Sequence, residues 1–196
     1  MRQERGESSH LEVERELLRL CKAGGQRFYE PIVRTYEGPG LRIAVGMLGS
    51  TDEAQDALQE AFVRAWQSLP RFDLERPFGP WFFRILRNQC KDMIGSRRSR
   101  SHLEVRDGAL DIELAGATTD PEHVRMRNEV QELFWKALSE ISNEHREILV
   151  LKEIEGLRYA VIANILEIPE GTVASRLFHA RGALRSALSE MNFEYP

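Results

Sequence analysis

The chain has 196 residues, of which 42% are hydrophobic and 30% charged, and its formal net charge is −4. That length holds one ordinary domain or two small ones, and the composition is too apolar for a disordered chain. An excess of acids, 31 against 27 bases, excludes a uniformly basic nucleic-acid coat protein but leaves local basic surfaces open.

Strand signals are scarce and helical periodicity is almost continuous, so the expected class is all-α. Residues 11–23 read as an amphipathic helix with Val13, Leu17, Leu18 and Leu20 inward, stopped by Gly24-Gly25. A second pattern runs from Arg27 through Tyr36 and is expected to break at Gly38-Pro39-Gly40; a third follows from Leu41 to Leu48. Ser50 with Glu53 forms a capping box, opening a helix that turns Ala54, Leu58, Ala61, Phe62, Ala65 and Trp66 to one side. Asp56, Gln59 and Glu60 project elsewhere. A proline-rich loop, Pro70 to Pro80, leads into a helix from Trp81 to Ile94.

Residues 96–121 change character, with Ser, Arg, Gly, Thr and Asp prominent and the periodicity fading. This stretch is the expected flexible linker between two small helical domains, 1–95 and 122–196. Helical pattern resumes near Glu122 and continues past Trp135 to Leu138. Ser142 or Asn143 then caps a helix from Glu144 to Glu153.

Charge is unevenly spread. From Arg84 to Arg100 there are six bases and a single acid, Asp92; from Gly171 to Ser189 there are three arginines and no acid. The second run belongs to the most informative stretch, Glu155 to Arg181. Tyr159, Ile162, Ala163 and Leu166 recur at helical spacing, Ile168-Pro169 interrupts, and a second helix starts near Glu170. That helix turns Val173, Leu177, Ala180 and Leu184 inward and offers Thr172, Ser175, Arg176, His179 and Arg181 on its other face. A short helix, a turn and a helix with a hydroxyl and arginine face is a helix-turn-helix, whose second helix enters the DNA major groove.

Catalytic and metal constellations are missing from the sequence. His10, His102, His123 and His145 have no ligand spacing, and the two cysteines, Cys21 and Cys90, form no CxxC pair. No phosphate loop or nucleophile elbow occurs. The reading is therefore neither an enzyme nor a cofactor-binding protein. Two buried, reduced thiols fit a cytoplasmic protein, and no apolar run approaches a membrane span, so no membrane insertion is expected.

Two runs of residues resemble a known family. DEAQDALQEAFVRAWQSLPRF, followed by PFGPWFFRILRNQCKDMIGSRRSR, is similar to region 2 of bacterial sigma factors. LSEISNEHREILVLKEIEGLRYAVIANILEIPEGTVASRLFHARGALRSAL is similar to their region 4. Both, in that order with a short linker, resemble the extracytoplasmic-function (group 4) subfamily of the sigma-70 family.

The resemblance implies an alternative sigma factor that binds core RNA polymerase, recognises the −35 and −10 promoter elements and promotes melting. Its partners would be the β′ clamp coiled coil and β flap of the polymerase, promoter DNA and an anti-sigma factor, with a monomer as the free state. Asp56, Gln59 and Glu60 match the polymerase-docking segment, where carboxylates steer association. Arg71, Phe72, Trp81, Arg84, Arg87, Asn88 and Lys91 match positions at the −10 element. There an aromatic platform returns about 1–3 kcal/mol per stacked base, and arginines follow the phosphates. Phe82 or Phe83 is expected in the core beside Trp81.

Thr172, Ser175, Arg176, Phe178, His179 and Arg181 match positions facing the −35 element. Ala174 and His179 stand where many relatives carry Lys or Arg, which lowers the positive charge of that face. A rival reading from another class is a stand-alone helix-turn-helix regulator, dimeric and acting without polymerase. A third is an interaction protein that decoys an anti-sigma factor.

Overall fold

The computed structural model describes the backbone of residues 2–100, 130 and 133–191, and all of the secondary structure in them is helical. Residues 101–129 lie outside the described residues, and with them most of the expected linker and the expected helix start at Glu122.

Helix α1 spans Arg2–Lys22. Its inward residues are Glu14, Leu18 and Cys21, one stripe at i, i+4, i+7. Val13, expected inside, is exposed, because its direction is one residue off that stripe. Glu14 takes the inward place by accepting a hydrogen bond from the Tyr36 hydroxyl at 2.5 Å, which satisfies a buried carboxylate.

Helix α2, Tyr29–Leu48, corrects a second expectation: it continues through Pro39. A proline inside a helix removes one N–H and costs about 3 kcal/mol, so tertiary packing has to outweigh it. It does so through Gly40, Ile43, Ala44, Met47 and Leu48, all buried in this half of the helix. Gly40 serves a close approach rather than a break, since a Cβ there would lie 2.7 Å from Leu58 Cδ1.

Helix α3, Thr51–Ser68, starts as expected, with Ser50 Oγ accepting from the Glu53 amide. Its inner face is Ala54, Ala57, Leu58, Ala61, Phe62 and Ala65, and the four alanines let α2 and α4 pack close. Helix α4 spans Phe78–Arg100, starting three residues before Trp81 and continuing past Ile94. Pro80 sits in its first turn, where a missing N–H is harmless. Phe62 and Phe82 stack at 4.5 Å between centroids, and Phe78, Phe82 and Leu86 are fully buried. Both Phe82 and Phe83 belong to the core.

In the second half, residues 133–140 are helical (α5). Helix α6, Asn143–Leu149, is capped by Ser142, whose hydroxyl accepts from the His145 amide. The helix expected to reach Glu153 instead widens at Val150–Ile154 into a π turn. Helix α7, Tyr159–Leu166, and helix α8, Glu170–Glu190, complete the helix-turn-helix. Between them Glu167 adopts a left-handed conformation with φ 55°, and Pro169 is the N-cap of α8. Ile148, Ile162, Ile165, Val173, Leu177 and Ala180 form the core of this half.

The two halves touch. Helix α7 packs on α4, while α6 and the π turn pack on α2. Among the described residues no helix is long and apolar enough to cross a membrane.

Candidate polymerase and promoter interfaces

The first candidate face lies on the outside of α3. Asp56, Gln59 and Glu60 sit at i, i+3 and i+4 and so share one stripe. Asp56 and Gln59 are exposed, and Glu60 is half-buried beside Arg64, which donates to it at 2.8 Å. Arg64 also stands 3.7 Å from Asp92 of α4. Val63, exposed at i+7, extends the same stripe. Sequence reasoning passed over it, although an apolar residue continuing an otherwise polar outer stripe was the available signal.

The second face is the outer side of α4, where Trp81, Arg84, Arg87, Asn88 and Lys91 follow at spacings of three and four. Asn88 and Lys91 are exposed, and Trp81 is half-buried. The Trp81 ring leans on Phe72 at 4.5 Å and on Phe78 at 5.3 Å. Phe72, matched to the −10 element, is only 5% exposed; in this arrangement its ring supports Trp81 from beneath. Its carbonyl accepts from Lys22 Nζ at 2.8 Å, which ties the loop to α1. Neighbouring Arg71 is exposed. The Asp73 carboxylate accepts from the Glu75 amide at 3.0 Å and shapes the turn that follows.

Arg84 and Arg87 are not free. Arg84 Nη1 donates to Glu167 at 3.0 Å, and Arg87 is paired with Glu147. The latter pair is nearly dry, with side-chain exposures of 12% and 5%. Burial draws the Arg87 guanidinium below its ordinary value, and the positive charge of Arg176 acts in the same direction; Glu167 and Glu144 oppose them. A third pair joins Arg42 of α2 to Glu155, with donor distances of 2.7 and 3.0 Å. Sequence reasoning assigned none of these glutamates a partner, because separations of 60, 83 and 113 positions leave no local signal.

The third face is α8. Ser175, Phe178, His179 and Arg181 are exposed, and Thr172 and Arg176 are half-buried. Phe178 is 74% exposed and meets the His179 ring edge-on at 5.5 Å. A large apolar ring in water on a helix of this kind suits contact with a thymine methyl. Arg181 is held by Glu153 at 2.7 Å. Ser175 returns its hydroxyl to the Thr172 carbonyl at 3.0 Å, a local bond that DNA could displace.

Cys21 and Cys90 are buried and unpaired. Burial raises both thiols, Cys90 to about 12, so neither is a reactive thiolate at neutral pH. Among the described residues no group of acidic, histidine or cysteine side chains could hold a metal ion.

Both halves of the chain match known protein families. Residues 32–100 match the family model for sigma-70 region 2, and residues 131–184 match that for sigma-70 region 4. The chain is 31% identical to the RNA polymerase sigma-H factor of Pseudomonas aeruginosa over 186 residues, covering 92% of this chain and 96% of that one. It is equally identical to the ECF RNA polymerase sigma factor SigW of Bacillus subtilis, covering 89% and 96%. The fold resembles that of CnrH, solved with the cytosolic domain of CnrY, with a TM-score of 0.68 at 23% identity over 91% of this chain and 98% of that one. A second solved likeness is the sigma factor RpoE of Bartonella quintana with the anti-sigma factor NepR, with a TM-score of 0.65 at 24% identity, covering 82% and 96%.

A helical unit bearing a basic helix, joined to a helix-turn-helix unit, defines a two-part promoter-binding protein. The chain belongs to the extracytoplasmic-function sigma factors of the sigma-70 family. It is thus a transcription initiation factor and not an enzyme, with core RNA polymerase and promoter DNA as its partners.

Proposed function

We propose that the three faces divide the work of an alternative sigma factor. Asp56, Gln59 and Glu60, with Val63, dock on the β′ clamp coiled coil. Arg71, Trp81, Arg84, Arg87, Asn88 and Lys91 engage the −10 element, with Phe72 as the support of Trp81. Thr172, Ser175, Arg176, Phe178, His179 and Arg181 engage the −35 element, with region 4 seated on the β flap. The domain limits that go with this reading are 1–95 and 122–196, with 96–121 as linker. The protein works in the cytoplasm as a monomer when free.

The observation that carries the reading is the stripe of Trp81, Arg84, Arg87, Asn88 and Lys91 on one helix. It unites a stacking ring with phosphate-seeking cations, as a melted strand requires. The relatives solved with CnrY and NepR suggest that an anti-sigma factor restrains this chain too. Run-off transcription on a promoter-fragment library, with purified core polymerase, tests the whole reading. Defined transcripts that need this chain support it. No transcripts together with no binding to core would refute it and favour the stand-alone regulator.

A further inference from the structure

Helix α1 precedes the stretch that matches region 2, which begins at residue 32, yet three of its side chains reach the surroundings of Trp81. Lys22 Nζ donates to the Phe72 carbonyl at 2.8 Å. Arg15 stands 3.6 Å from the Glu75 carboxylate. Glu14 accepts from the hydroxyl of Tyr36, whose ring centroid lies 5.2 Å from that of Phe78 at the start of α4. Arg15 and Lys22 are seven positions apart and so share one face of the helix. That face runs directly beside the inward stripe of Glu14, Leu18 and Cys21. One stripe seats α1, and its neighbour grips the loop between α3 and α4.

The bond from Lys22 is directed. Lysine in the last turn of a helix is ordinarily drawn to the free carbonyls of that same end. Here the carbonyls of Arg19, Leu20 and Cys21 already accept from the amides of Ala23, Gly25 and Gly24. The ammonium is left for Phe72, 50 positions away.

Phe72 links this grip to the stacking surface. The chain leaves the short 3-10 turn Leu69–Arg71 in an extended conformation at Phe72, with φ −69° and ψ 132°. Its amide donates back to Leu69, its carbonyl goes to Lys22, and its ring centroid lies 4.5 Å from that of Trp81 and 5.8 Å from that of Phe78. Beyond it, the Arg76 amide donates to the Asp73 carbonyl at 3.1 Å and the Glu75 amide to the Asp73 carboxylate at 3.0 Å. That turn moves as one piece, and Arg15 faces its Glu75. A single residue thus carries both the bond to α1 and the ring beneath Trp81, so a shift of its backbone shifts the ring above.

We propose that Lys22, assisted by Arg15, is a positioning residue for promoter opening: by fixing the Phe72 carbonyl it sets where Trp81 is offered to an unpaired base of the −10 element. The inference rests on the reading of Trp81 as a −10 contact. Lys22 and Arg15 themselves stay off the DNA and act through Phe72. A base stacked on an aromatic ring gains a factor of about 5–150 in binding, and a ring that has lost its support forfeits part of that factor.

The variant Lys22→Met keeps the aliphatic stem and removes the donor. In holoenzyme, on a promoter fragment recovered from the run-off library, it should form about tenfold fewer open complexes, read by permanganate at unpaired thymines. Lys22→Arg, which still donates, should restore them, and core affinity should be the same for all three chains. In a Trp81→Ala background Lys22→Met should cause no further loss. Unchanged open complexes would overturn the proposal, as would the same tenfold loss without Trp81. A direct phosphate contact by Lys22 would also overturn it, and would show as a salt slope lower by about one in Lys22→Met; the positioning role leaves that slope unchanged.

A second arm needs no polymerase. One charge-assisted hydrogen bond, partly open to water, is lost in Lys22→Met. Amides of residues 73–76 should therefore exchange with deuterium about tenfold faster, while those of α3 keep their rates. Equal exchange in the turn would refute the grip. If the unmodified chain formed no open complex with core polymerase, the sigma reading would fall, while hydrogen exchange would still decide whether Lys22 holds the loop.

Discussion

Reversing one charge on the outer stripe of α3 separates docking from folding. In Glu60→Lys the partner lost is Arg64, at 2.8 Å and about half exposed on both sides. An exposed i,i+4 pair contributes about 0.3–0.5 kcal/mol, and the like-charge pair that replaces it costs a similar amount. Arg64 can turn to Asp92, already 3.7 Å away, which limits the loss further. The sum is below about 1 kcal/mol, against a folding stability on the order of 5–15 kcal/mol, so the fold should survive intact. At an interface with a basic coiled coil the same reversal turns attraction into repulsion, with an expected loss of about 2–5 kcal/mol in core affinity. Glu30→Lys is the matched control: it breaks the same kind of pair, Glu30 with Arg34 at 2.6 Å, but on α2. Fluorescence anisotropy with labelled core polymerase, beside thermal melts of both variants, reads the two effects apart. Core affinity equal for Glu60→Lys and Glu30→Lys would refute the assignment of this face.

Other substitutions test the remaining claims. Phe178→Ala should leave stability within about 0.5 kcal/mol, as a surface change does, yet weaken −35 fragments; replacing thymine by deoxyuridine there should weaken the unmodified chain and not the variant. Gly182, with nothing within 4 Å of a Cβ, should gain about 1 kcal/mol on mutation to Ala in thermal or urea unfolding. Gly40→Ala should lose that gain and more, because overpacking against Leu58 costs about 1–3 kcal/mol. Ellman's reagent at pH 8 should leave Cys90 untouched in the folded chain, since its thiol titrates near 12; labelling at the rate of a free thiol would contradict its burial.

What could be read in advance was whatever depends on neighbours in sequence. The Ser50–Glu53 cap, the Ile168-Pro169 interruption and the inward stripe of Val173, Leu177 and Ala180 all follow from local chemistry, and the structure reproduces each. Pro39 was misjudged because a helix-breaking residue was weighed by its local penalty alone, when buried neighbours on three helices outvote it. Val13 departs from expectation for a related reason: hydropathy favoured the valine, while a hydroxyl 22 positions from Glu14 decided for that glutamate. Gly46 carried no signal at all. Its meaning lies in Val150, more than a hundred positions later, whose methyls would lie 2.5 and 2.9 Å from a Cβ at Gly46.

The π turn at Val150–Ile154 has a consequence for how this chain can change length. Each residue of a regular helix turns the chain by about 100°, and the wider turn holds one residue more than a regular turn would. A single deletion within 150–154 would leave a regular turn that spans about the same angle, so the chain beyond it keeps its direction. The loss falls on the side chains inside the turn, of which Val150 and Leu151 are buried. Single-residue gaps in this lineage should therefore be tolerated at these five positions better than inside α7 or α8, a rule that a survey of related chains can check by counting gaps.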